Sequence, residues 1–139
     1  MKGFNFCKEH NYQFCLTIDA DFQHDPNYIK NFINTDKSFS LVLGKRNFSD
    51  KMPIHRKFSN TITSYIISLL TKSLINDSQC GFRRYEVSKV LIYNYNELGF
   101  QFESEVLIKL LKNRSSFKEI NISTIYNNEK SFINNITDT

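Results

Sequence analysis

The amino-acid sequence predicts an α/β protein built on a mostly parallel sheet flanked by helices. Three observations carry that expectation: a continuous apolar run ending in an acidic cluster, a second apolar run one helix later, and a long amphipathic periodicity after that.

Phe14-Cys15-Leu16-Thr17-Ile18 is apolar without alternation, which predicts a strand buried on both faces with Asp19 at its carboxyl end. Asp25-Pro26 supplies an N-cap followed by proline at the first helical position. Tyr28, Ile29, Phe32 and Ile33 then recur with helical spacing, so a helix is expected over Pro26 to Asn34. Phe39-Ser40-Leu41-Val42-Leu43 predicts a second buried strand closed by Gly44; strand, helix and strand make a βαβ unit with parallel pairing, and Lys45 and Arg46 emerge at its end. From His55 to Thr71, Phe58, Ile62, Tyr65, Ile66, Leu69 and Leu70 fall at offsets of 4, 7, 8, 11 and 12, the pattern of a long amphipathic helix whose first turn holds His55, Arg56 and Lys57. Val106, Leu107, Leu110 and Leu111 behind Glu103 and Glu105 predict a third helix. The alternation Ile120, Ile122, Thr124, Tyr126 predicts a last strand, and the polar stretch from Asn127 to Thr139 a loop.

The 139 residues, 40% apolar and 14% aromatic, are enough for one core, so residues 1–139 are expected to form a single domain. A net charge of +4 suits phosphate-bearing ligands and falls short of a nucleic-acid-binding composition. Cys7, Cys15 and Cys80 are odd in number and lack metal-ligand spacing, which suggests neither a disulfide framework nor a zinc site and fits a reducing, cytoplasmic setting. Lys8, Glu9 and His10 interrupt any signal-peptide core. Tyr65 to Leu70, the most apolar stretch, is far shorter than the roughly 20 residues that span a bilayer, so any membrane contact is expected to be peripheral.

In Asp19-Ala20-Asp21-Phe22-Gln23-His24-Asp25-Pro26, Asp19, Asp21 and Gln23 are spaced by two and would share a side of an extended backbone. Three such oxygen donors suit Mg2+ or Mn2+, which complete their shells with substrate phosphates and water. A calcium loop is excluded, because the EF-hand positions for Gly and Glu hold His24 and Lys30. The alternative is that these acids cap the following helix and solvate a loop. Arg56 and Lys57, in a helix first turn where the macrodipole disfavours cations, point either to a bound phosphate or to water. Asp77-Ser78-Gln79-Cys80-Gly81-Phe82-Arg83-Arg84 combines an acid, a glycine and paired arginines, and is expected as a shaped loop entering a helix. Cys80 has no activating partner in sequence, and His24 and His55 fit supporting or surface roles.

Taken together, these segments resemble the family 2 glycosyltransferases, in particular the branch that includes dolichyl-phosphate mannosyltransferase and bacterial polyprenyl-phosphate sugar transferases. The residues that carry the resemblance are Asp19 to Pro26, Leu43-Gly44-Lys45-Arg46, Pro53-Ile54-His55-Arg56, Asp77 to Arg83, Glu103 to Leu107 and Glu119 to Tyr126, so it runs from about residue 10 to 131. It implies the carboxyl-terminal portion of a GT-A fold. It further implies a divalent metal, Mg2+ or Mn2+, on Asp19, Asp21 and Gln23, phosphate contacts from Arg46, Arg56 and Arg83, and Asp77 as the catalytic residue at the transfer site. The implied substrates are a nucleotide-diphosphate sugar and a polyprenyl phosphate, used at the cytoplasmic face of a membrane. Because that acceptor is already anionic, transfer asks for positioning and charge stabilisation more than for a strong base.

Three departures stand out: Phe22 in place of the usual Gly or Leu, Lys45 in place of Ser, and no counterpart of the family's first strand with its Pro-x-Tyr-Asn-Glu-like turn. The expectation is therefore a sheet lacking its first strands, with an open edge that a companion chain could complete. A non-catalytic binding or assembly subunit is the alternative function. A nucleotidyltransferase would need a glycine-rich phosphate loop, and the sequence has none.

Overall fold

The computed structural model describes residues 1–47, 54–96 and 99–125, without the side chains of Ile54, Arg56 and Phe100. Tyr126 and the expected loop from Asn127 onward lie outside the described residues, as does Pro53. In chain order the elements are α1 (Lys2–Glu9), β1 (Phe14–Thr17), a 3-10 turn (Pro26–Tyr28) running into α2 (Ile29–Asn34), β2 (Leu41–Arg46), α3 (Ile54–Thr71), β3 (Arg83–Glu86), α4 (Val87–Leu91), α5 (Phe100–Lys112) and β4 (Phe117–Ile122).

Local chemistry explains several of these boundaries. Asp25 caps the Pro26 turn, its Oδ1 accepting from the Asn27 amide at 2.9 Å. The chain leaves α1 through Asn11 at φ 58°, with the Tyr12 amide donating to the Cys7 carbonyl, and leaves α5 through Arg114 at φ 55°, with the Ser115 amide donating to Leu110. Both exits use a left-handed residue to satisfy the last carbonyls of the helix.

The strands form one sheet in the order β1-β3-β2-β4. β3 runs antiparallel to both β1 and β2, and only β2 and β4 pair in parallel, from Leu41 opposite Phe117 to Arg46 opposite Ile122. The expected mostly parallel sheet is thus corrected to one with two antiparallel pairings and one parallel. β1 and β2 do point the same way, as a βαβ connection requires, but β3 is inserted between them. β1 is also half-buried along its length at a sheet edge, not covered on both faces. β2 is the covered strand, and it passes through Gly44 instead of ending there. A Cβ at Gly44 would lie 2.8 Å from Cys80 Sγ and 3.0 Å from the Phe82 carbonyl oxygen, so the strand needs glycine to pass under the following loop.

Alternation on β2 divides the core. Leu41 and Leu43 face a cluster with Phe4, Tyr85, Ile67, Val90 and the α5 residues Val106, Leu107, Leu110 and Leu111. Val42 faces the opposite side, with Phe32, Cys80, Phe82 and Ile122. There Phe32 and Phe82 stack 4.3 Å apart, 7° from parallel. Beside them the buried Arg84 guanidinium donates to the carbonyls of Phe32, Thr35, Asp36 and Phe39 and lies over the Phe14 ring, tying α2 and the turn after it to the sheet. No helix among the described residues is long and apolar enough to cross a membrane.

Phe82 is fully buried, so Phe82→Ala is expected to lower unfolding free energy by about 3–5 kcal/mol in urea denaturation. A loss below about 1 kcal/mol would show that the ring is not part of the core.

Candidate functional site

β1 and β2 end at the same side of the sheet, which brings the acidic segment after Thr17 next to Arg46 and to the loop preceding β3. The carboxyl ends of co-directed strands are where open α/β sheets place their ligands.

The 77–83 loop is held from within. Asp77 is buried and accepts five hydrogen bonds: from Arg46 Nε at 2.7 Å, an Arg46 terminal nitrogen at 2.9 Å, the Arg46 amide at 3.1 Å, Asn60 Nδ2 at 3.0 Å and the Gln79 amide at 3.3 Å. Burial pushes its pKa up, but Arg46 and Asn60 outweigh that and hold the carboxyl below its ordinary range. Ser64 Oγ donates to Ser78 Oγ at 3.1 Å and accepts from the Ser78 amide at 2.9 Å, so α3 fastens the loop at a second point.

Arg83 lies 1% exposed beneath it, donating to the carbonyls of Ser78, Cys80 and Glu103 and to the Tyr85 hydroxyl. Glu103 Oε2 stands 3.5 Å from the same guanidinium. The guanidinium therefore braces the loop from inside. Burial pushes the Cys80 thiol up to about 12, leaving it an inert packing group.

Gly81 joins this loop to the acidic segment. A Cβ there would sit 2.3 Å from both carboxylate oxygens of Asp19, so glycine lets the loop backbone lie against that carboxylate where any side chain would push the half-exposed Asp19 aside. Thr17 Oγ1 donates to the Gly81 carbonyl at 3.0 Å on the strand side. His24 Nε2 donates to Asp19 Oδ2 at 3.3 Å, and the ring rests against Phe82. That hydrogen bond lowers the Asp19 pKa against the opposing effect of partial burial, with His24, Arg83 and Arg46 adding charge attraction. Asp19 is half-exposed, so its carboxylate remains open to a ligand.

The backbone does not stay extended past Asp19. Phe22 adopts φ 60° and is 78% exposed, and Asp21 Oδ1 accepts from the Gln23 amide at 3.0 Å, making a turn. Asp25, not Asp19 or Asp21, caps the following helix. Among the described residues no three His, Cys, Asp or Glu side chains are placed together to hold a metal. By donor type, two carboxylates and an amide oxygen are what a hard divalent cation takes, with phosphate and water completing its shell.

Of the residues singled out in the sequence, Asp19, Arg46, Asp77 and Arg83 thus meet at one sheet end, with Asp21 and Gln23 on the adjoining turn. Arg56 is in the first turn of α3, and its side chain lies outside the described residues; His55 beside it is exposed. The contacts of His24, Asn60 and Glu103 were not foreseen. His24 and Glu103 had signals in the motif and the acidic helix start, whereas Asn60 on the helix had none.

A mixed α/β sheet with an acidic turn and a buried Asp–Arg–Asn cluster at its carboxyl end is the class that fold and site define. No family model matches the chain. It is 36% identical over 121 residues to the UDP-N-acetylglucosamine–dolichyl-phosphate N-acetylglucosaminyltransferase of Methanococcus voltae, which covers 80% of this chain and 47% of that protein. It is 29% identical over 119 residues to the uncharacterized protein MJ1222 of Methanocaldococcus jannaschii, covering 80% of this chain and 49% of the relative. The chain spans about half the length of the curated relatives it matches.

Two outcomes test the geometry. Gly81→Ala should destabilise the wild type by up to about 1 kcal/mol, because the half-exposed Asp19 side chain can swing aside, and by distinctly less in an Asp19→Ala background, where the carboxylate it strikes is gone. Equal costs in thermal denaturation of both backgrounds would refute the contact. A lowered folded-state pKa means that Asp77 contributes stability above its unfolded value, near 3.9, and loses it as pH falls through the folded value. Urea midpoints should accordingly drop below about pH 4 in the wild type, and Asp77→Asn should flatten that limb.

Proposed function

We propose that this chain is part of a family 2 glycosyltransferase with a GT-A fold, transferring a sugar from a nucleotide-diphosphate sugar to a polyprenyl phosphate. The observation that carries the reading is the meeting of Asp19 with Gly81 beside the Asp77–Arg46 pair. It supplies oxygen donors for a phosphate-bound cation next to a guanidinium, on one side of the sheet. The similarity to a dolichyl-phosphate sugar transferase supports the same substrates, with a UDP-sugar as the first donor to try.

In this reading Asp19, Asp21 and Gln23 hold Mg2+ or Mn2+ against the donor diphosphate, and the ion supplies charge neutralisation for the leaving group. Arg46 and Arg56 contact phosphate. Arg83 acts through the loop it braces, and Glu103 sets a negative charge beside that brace. An acceptor phosphate oxygen bonds to the anomeric carbon as the bond from that carbon to the nucleoside diphosphate breaks. No proton need leave the nucleophile, so Asp77 contributes by fixing Arg46, in keeping with a carboxylate whose oxygens are already occupied. The open edge of β1 suits a further strand, from elsewhere in the same protein or from a companion chain. A lipid-linked acceptor calls for action at a membrane surface, and in this reading that surface is the cytoplasmic one.

Isothermal titration of UDP and GDP with and without Mn2+ tests the donor site. Metal-dependent binding should weaken at least about tenfold in Asp21→Ala, about 1.4 kcal/mol. Equal binding by Asp21→Ala, or no nucleotide binding by the folded wild type, would sink the reading.

A further inference from the structure

Cys7 and Cys15 are brought together by the way α1 folds back onto the sheet edge. The chain leaves α1 through Asn11 at φ 58°, with the Tyr12 amide donating to the Cys7 carbonyl at 2.8 Å, and enters β1 at Phe14. Cys15 stands opposite Tyr85 in the β1–β3 register, and cross-strand partners of this kind show their side chains on one face. The Phe4 ring meets Tyr85 edge-on at 5.4 Å, and Cys7, three residues further along α1, shares the face that Phe4 turns to the sheet. Both sulfurs are thus gathered beside Tyr85, and the two thiols hydrogen-bond each other. Both residues are half-buried, whereas Cys80 is 1% exposed and belongs to the cluster on the other face of the sheet.

We propose that Cys7 and Cys15 form a reversible redox pair, closing to an intramolecular disulfide when a hydroperoxide reaches the sheet edge and reopening on reduction by a thiol. The Cys7 thiolate attacks a peroxide oxygen, the O–O bond breaks, and Cys7 becomes a sulfenic acid. The Cys15 sulfur then bonds to the Cys7 sulfur, and the displaced hydroxyl leaves as water with the Cys15 proton. The pair loses two electrons and two protons, and hydrogen peroxide becomes two waters. Burial, followed by the hydrogen bond to Cys7 and the charge of Cys7, pushes the Cys15 thiol up to about 11, so Cys15 rests protonated and Cys7 is the sulfur that meets the oxidant. Oxidation of Cys7 removes its charge and its part of that shift at the stage when Cys15 has to give up its proton. In a reducing setting the pair rests as two thiols, and a disulfide is the passing record of an oxidant. The link staples α1 to β1, the edge strand that leads into Asp19. It rests on α1 and β1 alone and is independent of the transfer reading.

The test is to treat the full reduced chain with hydrogen peroxide, denature it, alkylate it and weigh it by mass spectrometry. The wild type should lose two of its three alkylatable cysteines, keeping Cys80, and dithiothreitol should restore all three. Tryptic peptides, separated by cleavage after Lys8, should be joined through Cys7 and Cys15. Oxidised wild type should also melt several degrees above the reduced chain, because the link restricts the unfolded state. Cys7→Ala, with an unchanged circular dichroism spectrum, should form no link and show no such shift. The proposal is overturned if all three cysteines stay alkylatable while free glutathione in the same tube is oxidised. It is equally overturned if Cys7 accumulates as sulfinic acid beside a free Cys15, or if the link joins two chains and doubles the mass without reductant.

Discussion

The Asp77 carboxylate has no exposed surface on its side chain, and a buried charge of that kind has to be matched where it stands. Its partners come from three places: the end of β2 through Arg46, the second turn of α3 through Asn60, and its own loop through Gln79. Removing one partner of such a pair costs about 3–5 kcal/mol, a large share of the stability of a domain this size. The orientation of α3 against the sheet and the path of the 77–83 loop both follow from that demand.

The loop in turn settles the acidic turn. With Asp77 and Arg83 fixing its two ends, the backbone at Gly81 comes to lie against Asp19, and His24 closes the other side of that carboxylate. Asp19 is thereby poised between a rigid loop and a buried ring, while Asp21 is held only by a local turn. The two carboxylates of the motif differ in rigidity although they are two residues apart in the chain.

Much of this was legible in the sequence, and the failures have physical causes. Apolar runs and helical spacing located β1, α2, β2, α3, α5 and β4. β3 was missed, with Arg83 and Arg84 read as the end of a loop, because Arg83-Arg84-Tyr85-Glu86 carries charge where a strand usually alternates. Arg83 and Arg84 are nonetheless buried on opposite faces, each satisfied by backbone carbonyls that no local pattern announces. Missing β3 is what made the sheet look parallel, since two co-directed strands joined by a helix imply direct pairing unless a third is known to lie between them. α1 escaped notice because one buried ring, Phe4 against Tyr85, is its main anchor. Motif chemistry singled out Asp19, Arg46, Asp77 and Arg83, which the fold brings to one sheet end, but the turn at Phe22 and the partnership of Asn60 depend on tertiary contacts.

α3 illustrates the limit of amphipathic reading most sharply. Its stripe of large apolar residues was located correctly, and the usual inference is that such a stripe faces the core. Here the inward face was decided by hydrogen bonding instead: Asn60 serves Asp77, Ser64 serves Ser78, and Ser68 Oγ accepts from the Ile75 amide. Turning the helix to bury Phe58, Tyr65 and Leu69 would strip those partners from a buried carboxylate and a buried loop. Hydrophobic area alone would favour that rotation, at about 25 cal/mol per Å2, but it would leave Asp77 with an uncompensated charge. The polar side of α3 is therefore its structural side, and its apolar side is the one left exposed among the described residues.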